Sequence, residues 1–292
     1  METQSMATLE LIQKQRLGAL SEFRLPVEGG APSKEVSAFL YEPVNYNRDP
    51  PALVVLHGVT RAAGLYLSSW MPYAEACSSL LIVPRFAKTY WPGARSYNPG
   101  NMFAKDGTLV PEKDWSFTAL EQLCDAVFLE QNHRNSQFAM YGHSAGAQFV
   151  HRYLIFKGGH RIHSAVVANA GWYTVPDCHH AMPYGIADVA PQGTKLESAF
   201  AAPLTIVLGK HDIRTQDPEL RQTKEALAQG AHRLARGRYF YSAAKEEAAR
   251  LCLSFKWSVV EIEGCGHSDK SVARVSARCL VGSEATNFAL AA

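Results

Sequence analysis

The 292-residue sequence predicts an α/β fold: a mostly parallel central sheet with helices on both faces. Three observations carry this reading. Short, wholly apolar runs recur along the chain, as at 52–56 (ALVVL). Proline or glycine closes several of them, and helical patterns lie between. Strands buried on both faces have this look, and strands alternating with helices imply crossover units and a parallel sheet.

Taken in order, residues 7–20 read as a short amphipathic helix and 36–41 as an edge strand. The run 52–56 follows Pro50-Pro51 and ends at His57-Gly58, and a second, 80–83, is stopped by Pro84. Residues 115–131 carry Leu120, Leu123, Val127 and Phe128 three and four apart, the spacing of one helical face. Strands follow at 137–141, 164–167, 204–208 and 257–262. Helices are expected at 145–156, 219–234, 243–253 and 268–280, the middle two from their Ala, Leu, Glu and Arg content. Two long segments, 85–114 and 171–203, break the alternation with aromatics set among turn residues. Irregular segments of that length inside a compact domain act as functional loops or lids.

Composition bounds the function. Hydrophobic residues make up 47% of the chain, enough for a large core, and no linker, repeat or charge block divides it. A single domain over 1–292, with lid-like segments at 85–114 and 171–203, is expected. The formal net charge is +2, too weak for a broad nucleic-acid surface. The densest basic run, 232–238, reads as a solvated helix end. Residues 1–20 lack the apolar run of a secretory leader, and no stretch is long enough to span a membrane. The six cysteines show no CxxC spacing, which fits reduced thiols better than disulfides or a zinc site. A cytoplasmic protein without metal or cofactor is expected, acting on a small molecule; oligomeric state is open.

The chemistry concentrates at Gly142-His143-Ser144-Ala145-Gly146. This is a G-x-S-x-G motif between an expected strand and an expected helix. A nucleophile on so tight a turn needs small neighbours two residues away on each side, and the helix start then offers a backbone N–H to an oxyanion. A serine needs a base. Among eleven histidines, His267 sits in a glycine-rich loop between the last strand and the last helix. His143 is expected to pack away from the serine, His151 and His160 lie on or after the next helix, and His179-His180 lie in the second irregular segment. The base needs an acid, and Asp212 follows the strand at 204–208 directly, with Asp217 and Asp188 as rivals. Ala145 N–H is one oxyanion donor, and Val59 N–H, after Leu56-His57-Gly58, is the second, with Thr60 as its rival. Trp91, Tyr97, Trp172 and Tyr173, with Phe103, suggest an apolar or aromatic substrate pocket; the equal alternative is that the aromatics of these segments pin the loops to the core.

With LHG at 56–58, GHSAG at 142–146, GKHD at 209–212 and GCGHS at 264–268, the chain resembles an α/β-hydrolase over most of its length. The stretches VVLHGVTRAAGLYL and YGHSAGAQFVHRYL resemble the polyhydroxybutyrate-depolymerase-like and feruloyl-esterase-like branch. The resemblance implies a carboxylic-ester hydrolase with Ser144, His267 and Asp212 as triad, Val59 and Ala145 as oxyanion hole, and no cofactor. Secreted depolymerases of that branch commonly carry a disulfide-bonded cysteine where this chain has Val59, so a small soluble ester is expected rather than a polymer. An amidase, peptidase or acyltransferase would use the same residues. A binding protein on a hydrolase fold would keep them without turnover.

Overall fold

A computed structural model describes residues 18–27, 34–189 and 194–282. Eight strands form one sheet in the order β1-β2-β4-β3-β5-β6-β7-β8. They are β1 (Ala19–Val27), β2 (Lys34–Glu42), β3 (Ala52–Leu56), β4 (Leu81–Arg85), β5 (Phe138–His143), β6 (Ile162–Ala168), β7 (Leu204–Gly209) and β8 (Trp257–Ile262). β2 pairs antiparallel with β1 and β4; every pairing from β4 to β8 is parallel. The helices are α1 (Ala63–Cys77), α2 (Ser116–Glu130), α3 (Ala145–Lys157), α4 (Leu196–Ala201), α5 (Lys224–Gln229), α6 (Arg233–Arg250) and α7 (Asp269–Val281).

β3 shows why the central strands read as unbroken apolar runs. All five of its residues are buried. Ala52, Val54 and Leu56 join the core under α2, α3 and α6, while Leu53 and Val55 join the core under α1 and α7. A strand covered on both faces has no side for polar residues, so alternation disappears.

The edge of the sheet departs from expectation. The expected helix at 7–20 lies almost wholly outside the described residues, and where the two overlap Ala19 and Leu20 begin β1. The edge is therefore β1, and β2 lies inside it. β1 is largely exposed, which leaves little pattern to read, and its Pro26 is tolerated because an edge strand has one unpaired side. Pro84 does not stop β4. β3 pairs with β4 only as far as Ile82, so Pro84 lies beyond that ladder, opposite Ala38 of β2. Helix α1 has no counterpart in the sequence reading; it carries Pro72 inside.

The region after β7 is rearranged too. The expected helix 219–234 is instead a turn, then α5, which stops at Gly230 with φ +144, a value open to glycine alone. α6 then runs unbroken through 237–242. It lies close on β7, since a Cβ at Gly237 would sit 2.3 Å from Leu208 Cδ2. Phe240 packs against Trp257 of β8 at 5.5 Å between ring centroids. The basic run at its start is no solvated helix end, because Arg233 and Arg236 are buried.

Three histidines are buried near the carboxyl ends of the strands. His57 Nδ1 lies 3.0 Å from Gly58 O, and its Nε2 accepts from Phe86 N–H at 3.4 Å. His143 Nδ1 hydrogen-bonds the Tyr66 hydroxyl at 3.3 Å. His151 Nδ1 donates to Ala147 O at 2.9 Å, and its Nε2 accepts from Thr174 N–H at 3.0 Å. Burial pushes His57 down to about 3. Burial likewise holds His143 and His151 well below the ordinary imidazole value, helped by the charges of His267 and Arg233 in the first case and Arg152 in the second.

Two predictions arise here. A Cβ at Gly146 would lie 2.3 Å from Leu56 O. Gly146→Ala is expected to destabilise the fold by about 1–3 kcal/mol, read as a lowered urea midpoint; an unchanged midpoint contradicts that contact. The unfolded chain binds protons at its histidines below about pH 6.5, whereas the three buried ones stay neutral in the fold. Their stabilisation is therefore complete above that pH and is lost as pH falls toward their folded values, at up to about 1.4 kcal/mol per pH unit for each. Urea melts from pH 7.5 to pH 5 test this, and a flat profile contradicts it.

Candidate active site

Ser144 stands between β5 and α3 with φ 54 and ψ −111, a conformation few non-glycine residues adopt. The turn is held on two sides. Ser144 N–H donates to Ala168 O of β6 at 2.9 Å. Beneath it, backbone presses on backbone: a Cβ at Gly142 would meet Gly146 O at 2.3 Å. This is the packing that G-x-S-x-G spacing permits.

β7 ends at Gly209 beside Ile262 of β8, so the loops holding Asp212 and His267 leave neighbouring strands at one level. His267 Nδ1 donates to Asp212 Oδ2 at 2.7 Å, and its Nε2 lies 3.2 Å from Ser144 Oγ. Asp212 is buried, whereas the His267 side chain keeps 26% of its surface exposed. The two loops are tied together by His211 N–H to Cys265 O at 2.8 Å and Lys210 N–H to Ile262 O at 3.0 Å.

Sequence reasoning missed two residues that hold this arrangement. Asn169, buried with φ 49 at the end of β6, accepts from Gly209 N–H at 2.9 Å and donates to Gly266 O at 3.2 Å. One side chain thus braces both loops. Arg233, at the start of α6, lies 3.5 Å from Asp212 Oδ1 and 2.6 Å from Asp217 Oδ2. Asp217 is therefore a partner of Arg233 and not of His267. Its burial would raise the carboxyl, but the Glu219 N–H and Arg233 outweigh that and hold it below the ordinary value. The other rival, Asp188, accepts from Met182 N–H at 3.2 Å in the second irregular segment.

The two backbone N–H groups expected as oxyanion donors, of Val59 and Ala145, follow adjacent strands. Leu56 and Gly142 are paired in register, and Val59 and Ala145 each follow three residues later. Ala145 N–H opens α3 and has no intrahelical acceptor. The Val59 loop is fastened from behind. Arg61 donates to Phe86 O at 2.7 Å and to Gly93 O at 2.9 Å, and Tyr97 OH donates to His57 O at 2.7 Å.

The expected aromatic pocket needs correction. Trp91, Tyr97 and Tyr173 are fully buried. Trp91 Nε1 donates to Glu35 O at 2.8 Å, Tyr97 supports the His57 loop, and Tyr173 stacks on Phe240 at 4.4 Å. Their size suited the core as well as a cleft, and the core took them. Trp172 and Phe103 do line a cavity, of about 520 Å³, together with Asn98, Arg95, Met182 and Arg221. His143 is buried, and its ring lies 4.8 Å from that of His267. His180 pairs with Asp177 at 2.9 Å. Among the described residues no cluster of three His, Cys, Asp or Glu side chains could hold a metal ion.

Chemically, a hydroxyl facing an imidazole whose far nitrogen is held by a carboxylate can lose its proton as it attacks an electrophilic carbon. Backbone N–H groups at a helix start suit the anion that results.

Comparison with known proteins gives the arrangement its family. No family model matches the sequence, and no curated protein matches it. Solved structures do. Poly(aspartic acid) hydrolase-1 from Sphingomonas sp. KT-1 is 31% identical with a TM-score of 0.84, the match covering 90% of this chain and 99% of that one. LpqC, a poly(3-hydroxybutyrate) depolymerase from Bordetella parapertussis, is 31% identical with a TM-score of 0.82, covering 92% of this chain and 91% of the other. An S-formylglutathione hydrolase from Agrobacterium tumefaciens shares the fold at 15% identity and a TM-score of 0.53, over 91% of this chain and 97% of its own. With an eight-stranded sheet of this order and two relatives at this level of identity over nearly their whole length, the chain belongs to the α/β-hydrolases, in their polyhydroxybutyrate-depolymerase-like branch.

Proposed function

We propose that the protein hydrolyses carboxylic esters through an acyl-enzyme on Ser144. The observation that carries this is the hydrogen-bonded series Ser144–His267–Asp212 on a strained strand-to-helix turn. Ser144 Oγ attacks the ester carbonyl as its proton passes to His267 Nε2. The carbonyl oxygen becomes an oxyanion against Val59 and Ala145 N–H. Asp212 holds His267 in the tautomer that leaves Nε2 free and stabilises the imidazolium. The imidazolium then protonates the leaving alcohol, and the tetrahedral adduct collapses to acyl-serine. Water repeats the sequence, giving its proton to His267 and its oxygen to the acyl carbon. Free acid leaves and Ser144 is regenerated.

Amide hydrolysis is the second reading, favoured by one relative that is named for poly(aspartic acid), a polyamide. The same residues serve it, and the bond cleaved is decided by the surroundings of the serine. The substrate is a small molecule in this reading. The free cysteines Cys77, Cys124, Cys178, Cys252, Cys265 and Cys279 fit a reducing, cytoplasmic setting. No helix among the described residues is long and apolar enough to cross a membrane. The segments at 85–114 and 171–203 serve as lids of a single domain.

A fluorophosphonate probe with mass spectrometry is expected to place an adduct on Ser144. Ser144→Ala is expected to cut hydrolysis of a p-nitrophenyl ester at least about 10³-fold, and near-wild-type turnover in that variant would sink the assignment. Matched ester and amide substrates separate the two readings. A folded protein that takes no adduct points to a ligand-binding protein. Arg233→Met leaves two carboxylates, one of them buried, without their cation, so stability is expected to fall by about 3 kcal/mol, with kcat lowered in the surviving fold. Denaturant melts and kinetics on Arg233→Met and Arg233→Lys check this, the lysine variant being expected to recover part of both.

A further inference from the structure

The cavity beside Trp172 carries positive charge as well as aromatic and aliphatic lining. Arg95, Lys105 and Arg221 line it, against a single carboxylate, Asp188. None of these three cations makes an ion pair within 4.0 Å among the described residues. Asp106, next to Lys105, is turned into its own loop, where Oδ1 accepts from Thr108 N–H at 3.0 Å.

A fourth cation lies behind the wall. Arg152 of α3 is fully buried. Its Nε donates to Thr174 Oγ1 at 2.7 Å, and its Nη1 donates to Asn98 O and Gln148 O, each at 3.1 Å. Its Nη2 is buried with no hydrogen-bond partner among the described residues. The Trp172 ring lies between two guanidinium groups, with Arg152 Cζ 4.2 Å and Arg221 Cζ 4.7 Å from its centroid. Stacking on an aromatic face fixes the plane of a guanidinium and leaves its edge for a planar, two-oxygen anion. Arg221 is fixed from its backbone too, because Arg236 Nη2 donates to Arg221 O at 2.9 Å. A buried cation with an orphaned N–H is costly without a counter-charge, and among the described residues no carboxylate lies within 4.0 Å of Arg152 to supply one.

Two hydrogen bonds link the cavity wall to the serine turn. Asn98, in that wall, donates from Nδ2 to Gln148 Oε1 at 3.3 Å, and Gln148 N–H donates to Ser144 O at 3.1 Å. The cavity volume, about 520 Å³, suits a small organic group.

We propose that this cavity is a carboxylate-recognition subsite, with Arg221 as the principal contact and Arg95 and Lys105 at its rim. The substrate class that follows, given the hydrolytic reading of Ser144, is an acyl compound that bears a free carboxylate away from the bond cleaved. Such a carboxylate stands either at a chain end or on a side group.

The test measures binding without catalysis. Ser144→Ala protein is titrated by tryptophan fluorescence with glutarate, with N-acetyl-triaspartate amide and with dimethyl glutarate, and Trp172→Phe identifies the responding ring. At least one carboxylate ligand is expected to bind tenfold or more tighter than the neutral diester. Arg221→Gln is expected to weaken that ligand about tenfold, and Arg221→Lys to restore part of the loss. Tight binding of glutarate alone assigns a chain-end carboxylate; tight binding of the capped peptide assigns a side-group one. If Arg221→Gln does not fold, the exposed pair Arg95→Gln/Lys105→Gln gives the same readout. Equal binding of the diester, no binding of any ligand, or unchanged affinity in the charge-removed variants overturns the subsite. Carboxylate binding in a protein that hydrolyses nothing would instead overturn the hydrolytic reading and leave the subsite standing.

Discussion

The contact on which the rest of the structure depends is backbone against backbone. The start of α3 sits directly on the end of β3, so closely that Gly146 has no room for one more carbon beside Leu56 O. That closeness puts the first turn of α3 next to the 57–61 loop and forces Ser144 into its unusual torsion angles. Such a torsion costs about 1–3 kcal/mol and persists only when its surroundings dictate it. Here they include the hydrogen bond to Ala168 O and a helix buried along nearly its whole length. A side-chain contact could yield by changing rotamer, whereas opposed main chains cannot, which suits a serine that must be held still.

Around this rigid centre the loops are held by guanidinium groups, an unusual choice given the cost of burying charge. Arg61 gathers carbonyls at Phe86 and Gly93, and Arg236 gathers Gly171, Gly230 and Arg221. Arg233 joins two aspartates. Arginine fits the task because its planar fork reaches several acceptors at once, and irregular loops present many carbonyls with no ladder to join. The segment 229–256, which holds α6, has a purpose in this. It covers β7 and β8, and it delivers two of these arginines to the carboxyl ends of the strands.

How much could be read in the sequence followed from how local each signal is. The central strands are buried on both faces, so ALVVL and its counterparts stand out without knowledge of their neighbours. β1 stayed hidden because its exposed residues carry no such imprint, and α1 because neither periodicity nor Pro72 advertises a helix. Ser144, Asp212 and His267 follow strand ends, and the structure brings the three within hydrogen-bonding reach. Asn169 and Arg233 left no trace of the same kind. Each acts on residues some 40 to 100 positions away or across an unforeseen helix boundary, and an Asn or Arg in isolation is ordinary. Burial decided the fate of the aromatics. Tyr97 and Trp172 look alike as candidates, yet one supports a loop from inside and the other faces a cavity.

The hydrogen bond between Ser144 and His267 spans 123 residues of chain, and the one from His267 to Asp212 spans 55. The serine turn needs only β3, β5 and β6 beside it, elements that precede both loops. During synthesis, which proceeds from the amino end, the chain can therefore shape the Ser144 turn well before it holds the Asp212 and His267 loops. On the hydrolytic reading proposed above, an incomplete chain would carry a bent serine without its base. On the same reading, reactivity arrives only when β8 docks and brings His267 with it, so the last strand of the sheet would also serve as an arming step.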